Sequence, residues 1–240
     1  MKLDILAIVA HPDDAELSCG GTLIKHADMG YKTGIIDLTE GELGTRGSKE
    51  LREKEAQAAS AILGVAVREN LKFRDGWFSN DEEHKLKIIS KIRQFKPEIV
   101  LANAVDDRHP DHGRAAQLVK EAAWLSGLKK IVTTDNDGQQ QQAWRPRHVY
   151  HFIQYKLIEP DFIVDISGYT EKKMLAILAY KSQFHDPQNT QDDETLIAKP
   201  EFLQLLGAKN LQAGNYALID YGEAFVSAFK PAVKNLFDLI

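Results

Sequence analysis

The first half of the chain alternates between short apolar runs and longer stretches where apolar residues recur every three to four positions. Residues 3–10 (LDILAIVA) are almost continuously apolar and stop before a proline, which predicts a strand covered on both faces. Residues 14–29 then show helical periodicity through Leu17, Thr22, Leu23 and His26, with Gly30 suited to the end of a helix. The same alternation continues. Strands are predicted over 32–39, 65–73 and 98–103, and helices over 49–63, 81–95 and 113–125. Two polar segments interrupt it, a loop at 40–48 with three glycines and a loop at 106–112. Four strand–helix units with short connections predict an α/β fold of Rossmann-like type. Its sheet is doubly wound and mostly parallel, with helices on both faces. Further on, 133–143 reads as an exposed loop, 148–154 and 162–165 as strands, and 169–183 and 195–206 as helices. No repeat or shift in composition divides the chain, so residues 1–240 are read as one domain with a carboxy-terminal elaboration.

Composition sets limits. Of 240 residues, 43% are apolar and 27% charged, which is globular composition. Lys and Arg number 30 against 35 Asp and Glu, a net charge of −5, so neither a nucleic-acid footprint nor a polybasic membrane surface is expected. The single cysteine, Cys19, permits no internal disulfide and no cysteine zinc cage, and suits a small buried helix position. The amino-terminal run is too short and too acidic for a signal peptide. No stretch approaches the roughly 20 apolar residues of a membrane helix. The expectation is a soluble, cytoplasmic protein.

Two clusters carry the candidate chemistry: His11-Pro12-Asp13-Asp14 after the first strand and His109-Pro110-Asp111-His112 after the fourth. In a sheet ordered 3-2-1-4 those strands are neighbours, and ligands bind beyond their carboxyl ends where the strand order reverses. Imidazole and carboxylate suit a divalent ion such as zinc. His11 and Asp14, three apart at a helix entry, can face one ion, which leaves Asp13 to act as a base. Either His109 or His112 can complete a two-histidine, one-carboxylate site with an open position. The other, held by Asp111 or another carboxylate, can be cationic and stabilise an oxyanion. Spacing does not say which is which.

AHPDDAE with HPDH about 100 residues on resembles the PIG-L/LmbE-like family of zinc-dependent N-deacetylases. GELGTRG at 41–47 and YKSQF at 180–184 look like the bacillithiol-pathway branch, which deacetylates N-acetylglucosaminyl malate. The resemblance implies Zn2+ held by His11, Asp14 and His112. It further implies Asp13 as general base and His109 as oxyanion stabiliser with Asp111 behind it. The implied partner is a small-molecule N-acetylglucosaminide, and relatives of the branch often form hexamers, so a homo-oligomer is expected.

Arg46 and Arg108 lie at predicted carboxyl ends of strands and suit the two carboxylates of a malate aglycone. Glu40 suits sugar hydroxyls, and His185, after YKSQF, is within reach of the pocket. Other readings are a deacetylase of another glucosaminide (an inositol conjugate, a chitooligosaccharide or an antibiotic precursor), a metal-dependent phosphoesterase, or a noncatalytic Rossmann-like module binding metal or nucleotide. The first strand–helix turn lacks G-x-G-x-x-G, and Gly20-Gly21 falls inside a predicted helix, which speaks against dinucleotide binding.

Overall fold

The computed structural model describes residues 1–185 and 195–238. The chain begins with β1 (Ile5–Val9), α1 (Asp14–Asp28), β2 (Thr33–Thr39), α2 (Lys49–Leu63), β3 (Val67–Phe73), α3 (Glu82–Phe95), β4 (Ile99–Ala102) and α4 (Pro110–Leu125). It continues with β5 (His148–Phe152), β6 (Phe162–Asp165), α5 (Thr170–Leu178), α6 (Pro200–Tyr216) and β7 (Gly222–Ser227). The seven strands form one sheet in the order β3-β2-β1-β4-β5-β7-β6. β1 to β5 pair in parallel, as the alternating pattern predicts.

Every residue of β1 and β2 is buried, because helices cover both faces. On one face Ile88, Ile92, Leu118 and Val119 pack against Leu6 and Ile8. On the other, Leu23, Ile24, Leu63 and Ala176 pack against Ala7 and Val9. Each fully buried Leu or Ile contributes about 1.5–3 kcal/mol relative to exposure. Gly34 in β2 has no room for a side chain, since a methyl there would sit 2.6 Å from Leu3 and 2.9 Å from Val67.

Three expectations are corrected. The fourth helix starts at Pro110, not 113, because proline suits the first helical position and His109 caps it. The last helix spans Pro200–Tyr216 instead of 195–206, and its sequence signal is blurred by Gly207 and Gly214. β7 has no counterpart in the sequence reading. Its GEAFVS pattern is short and carries a buried Glu223, and it runs antiparallel between β5 and β6.

Glu223 explains a break in α1. At Cys19 the backbone leaves helical geometry (φ −136°, ψ 16°). The N–H groups freed there donate to the Glu223 carboxylate, Gly21 at 2.9 Å and Thr22 at 2.7 Å, and the Thr22 hydroxyl adds a third bond at 2.6 Å. Lys173 of α5, equally buried, pairs with the same carboxylate at 2.7 Å. The kink thus has an inserted side chain as its cause. Gly21 lies against Ile166, where a side chain would sit only 2.9 Å away, so this glycine serves packing. Among the described residues no helix is long and apolar enough to cross a membrane.

Candidate active site

The carboxyl ends of β1 and β4 lie side by side, paired from Ile5↔Ile99 to Ile8↔Ala102. The chain leaves β1 at Ala10, whose N–H bonds Asn103 Oδ1 at 2.8 Å, and enters α1 through a tight turn. In that turn Asp13 has φ 113°, a left-handed conformation that costs a non-glycine residue about 1–3 kcal/mol. Its side chain makes no capping hydrogen bond, so helix entry does not account for an aspartate there. The turn instead points it into a cavity of about 630 Å³ shared with His11, Asp14, His109 and His112.

Asp14 is the most constrained group in this cavity. Its Oδ2 accepts from the His11 main-chain N–H (2.9 Å) and from Asn103 Nδ2 (3.0 Å). Its Oδ1 accepts from Gln154 Nε2 at 2.9 Å. Two ring nitrogens approach the same carboxylate, His112 Nε2 at 3.1 Å and His11 Nδ1 at 3.5 Å. Donors of a tetrahedral site with bonds of about 2.1 Å lie roughly 3.4 Å apart. Each imidazole thus stands from Asp14 at a separation that one divalent ion bridges, and the two ring centroids lie 5.6 Å apart. His109 stands close by, its ring 4.8 Å from that of His11 and 5.1 Å from that of His112.

Each of the two histidines beside Asp14 turns its other nitrogen to a carboxylate. His11 Nε2 meets Asp75 Oδ1 at 3.0 Å, and His112 Nδ1 meets Asp107 Oδ2 at 2.5 Å. Such partners fix ring orientation and raise ligand basicity. Asp107 is itself held by the main-chain N–H groups of Tyr155 (3.0 Å) and Lys156 (2.8 Å). His11, Asp75 and Asp111 also form a compact donor set. There Asp75 Oδ2 accepts from Leu43 N–H and Asp111 Oδ2 from Gly76 N–H, with Asp75 Oδ1 left facing His11 Nε2, and His11, His109 and His112 form a further compact donor set.

The electrostatics follow from burial and these pairings. Burial works against charge on His11, yet hydrogen bonds to Asp111, Asp14 and Asp75 hold its pKa well above the usual value. Burial opposes charge on His112 too, but Asp14 and Asp107 raise it to about 9. Burial would raise Asp14, and the two histidines more than offset that, keeping it well below the carboxylate range. Asp13 differs. Burial raises it to about 7, against the opposing pull of the Arg52 guanidinium.

His109 departs from expectation. Burial, then the charges of His11 and His112, push its pKa down. Its Nδ1 accepts the Asp111 main-chain N–H at 3.3 Å, so the ring is a neutral donor with its proton on Nε2. The Asp111 side chain does not stand behind it. That carboxylate binds Gly76 N–H and Arg114 and lies 3.4 Å from His11 Nε2. The helix starting at Pro110 turns residues two apart to different faces, which separates Asp111 from the His109 ring.

The predicted substrate contacts divide. Arg108 lines the cavity, its guanidinium 5.2 Å over the Tyr155 ring. Arg46 does not line it; the side chain is buried, and among the described residues its Nε and Nη1 have no hydrogen-bond partner. Glu40 faces Lys49 (3.9 Å) and Lys72 (3.7 Å), outside the cavity lining. His185 is also outside it. Arg52 occupies the place expected for Arg46. It crosses Gly41 and Gly44, where any side chain would collide with its guanidinium, and it bonds Gln183. Those loop glycines are the sequence signal for Arg52. Asp75, Asp107, Asn103 and Gln154, each just beyond the end of β3, β4 or β5, give no motif. The far wall of the cavity is apolar, formed by Leu157, Ile197, Phe202 and Leu205.

The family model described as PIG-L, GlcNAc-PI de-N-acetylase, matches residues 6–123, which contain both histidine clusters. The diacetylchitobiose deacetylase of Thermococcus kodakarensis is 32% identical over 190 residues, 75% of this chain and 70% of its own. The 4-oxalmesaconate hydratase of Pseudomonas putida is 27% identical over 246 residues, covering 96% and 91%. Among solved structures, the conserved protein TT1542 from Thermus thermophilus superposes with a TM-score of 0.85 at 36% identity, over 98% of both chains. Further relatives are named as deacetylases of inositol or L-malate glucosaminides. The substrates named thus diverge, while the family model spans both histidine clusters and a relative 32% identical is itself a deacetylase: the chain belongs to the PIG-L family of de-N-acetylases.

Proposed function

We propose that the chain is a divalent-metal-dependent N-deacetylase of N-acetylglucosaminides, with N-acetylglucosaminyl malate as the narrower substrate. One observation carries the reading. The Asp13 carboxyl faces the cavity beside His11, Asp14 and His112 without a capping hydrogen bond, held there by a strained backbone. A purely structural metal site has no use for that group.

His11, Asp14 and His112 are the residues to hold the ion, with Asp75 and Asp107 orienting the two rings. Zinc bound there supplies a Lewis acid and lowers the pKa of water at the site. The chain's residues supply the proton transfers. Asp13, as carboxylate, takes a proton from the attacking water and returns it to the departing amine as the amide C–N bond breaks. The water oxygen ends in acetate. His109 donates its Nε2–H to the acetyl oxygen as charge builds on it, a neutral donor in place of the expected cation. Arg108, steadied on Tyr155, suits a carboxylate of the aglycone.

The test is amine release by zinc-loaded protein from N-acetylglucosaminyl malate, N-acetylglucosaminyl inositol, diacetylchitobiose and free N-acetylglucosamine, each with and without chelator. Chelator-sensitive release, fastest on the malate conjugate, is the expected result. Faster release from another of these conjugates discards the malate and keeps the deacetylase. A parallel assay with 4-oxalmesaconate addresses hydration, the reaction for which one relative is named. Its consumption, with no amine from any amide, overturns the deacetylase reading.

Asp75→Asn and Asp107→Asn are each expected to weaken zinc binding by about 10–100-fold, because each takes the nearest carboxylate from a ligand imidazole. Competition with a chromophoric chelator measures this. Wild-type affinity in both variants removes them from the site.

A further inference from the structure

A line of hydrogen bonds reaches Asp14 from α6. Lys209, on that helix, donates its ammonium to two successive main-chain carbonyls, Ile153 and Gln154, where the chain leaves β5. The Gln154 side chain is fully engaged on the other side of that peptide. Its Oε1 accepts from Asn103 Nδ2 (2.9 Å) and Ala104 N–H (3.2 Å), and its Nε2 donates to Asp14 Oδ1 (2.9 Å). Ile153 N–H is tied to Ala224 of β7 at 3.0 Å, so this stretch of main chain is held from both edges.

Burial, with Lys173 adding repulsion, pushes the Lys209 ammonium down to about 7. Lys209 is part-buried along the cavity wall, and a cation drawn from water is costly unless its donors are satisfied. Two carbonyl acceptors at one turn fulfil that need, and they fix where residue 154 projects. From that position the amide of Gln154 meets Asp14 Oδ1 at 2.9 Å.

We propose that Lys209 is a positioning residue for Asp14, acting through the main chain and side chain of Gln154. The inference rests on reading Asp14 as a metal ligand. It assigns to α6, remote in sequence from both histidine clusters, the task of holding one oxygen of that ligand in place.

The experiment measures zinc affinity of the full chain by chelator competition in wild type, Lys209→Met, Gln154→Ala and the double variant, with deacetylation kinetics and melting temperature alongside. Lys209→Met and Gln154→Ala are each expected to weaken zinc about tenfold. kcat falls in proportion at subsaturating zinc, while KM for the amide stays within about twofold. The double variant is expected to bind no more weakly than the poorer single variant, because both act through one contact. Lys209→Arg, which keeps donors for both carbonyls, restores affinity. A Lys209→Met protein with lowered melting temperature but wild-type zinc affinity marks a merely structural lysine and overturns the proposal, as do losses that multiply in the double variant. If Lys209→Met does not fold, Lys209→Gln carries the test, and unchanged affinity there overturns it. Wild type that holds no zinc overturns the metal reading together with this one. Wild type that holds zinc but releases no amine overturns the deacetylase reading alone and leaves the zinc comparison decisive.

Discussion

Asp13→Asn is expected to fold, to hold zinc as wild type does, and to lose about 10²–10⁴-fold in kcat, the usual worth of a positioned acid–base group. The substitution keeps size and shape, and asparagine tolerates the left-handed φ of 113° better than most residues. What it removes is the ability to take a proton. The wild-type pH profile gives the same group a second signature. Burial raises Asp13 to about 7, and it works as the carboxylate, so kcat/KM rises with pH through an acid limb at or below that value. A bound cation moves the limb downward, because it favours the ionised form. In Asp13→Asn that limb disappears. Stopped assays from pH 5 to 8, with zinc content measured on the same samples, check both statements. Normal turnover in a zinc-replete variant, or an unchanged acid limb, removes Asp13 from the reaction.

Glu223→Gln is expected to lower stability by roughly 3–5 kcal/mol, the cost of leaving one member of a buried ion pair without its partner. For a chain of this size that is roughly 6–20 °C in melting temperature. The ammonium of Lys173, only 2% exposed, keeps Asn210 Oδ1 at 3.4 Å as its remaining contact. The amide also presents one acceptor where the carboxylate served Gly21, Thr22 and Lys173 together. Replacing both residues, as in Glu223→Gln with Lys173→Met, is expected to recover part of the loss, since the stranded charge is gone. Thermal melts of the single and double variants decide this. A Glu223→Gln protein within about 2 °C of wild type would sink the account of the α1 break.

The parallel half of the fold was legible because burial on two faces forces long apolar strands, and β1, β2 and β4 obey that rule. Convergence of His11, Asp14, His109 and His112 followed from strand order alone. β7 was not legible, because its charged residue is buried against a helix about 200 positions earlier, a contact no local pattern announces. The support behind the histidines was hidden for a related reason. Asp75 and Asp107 are ordinary acidic loop residues in sequence, and only the sheet brings them to His11 and His112. Arg46 and Arg52 show the limit most sharply. Arg46 sits within the glycine loop and Arg52 follows it on α2, and the one with the motif-like setting is buried outside the cavity lining, while Arg52 lines it.

The cap on the inner half of α1 also orders events during synthesis. Gly21 and Thr22 emerge from the ribosome some 200 residues before the carboxylate that receives their N–H groups. A nascent chain arrested after α4 carries both histidine clusters but lacks Gln154, Lys209 and Glu223, which arrive later and hold Asp14 and the helix behind it. If the site holds the proposed ion, its capture is expected only after these later residues have joined the fold.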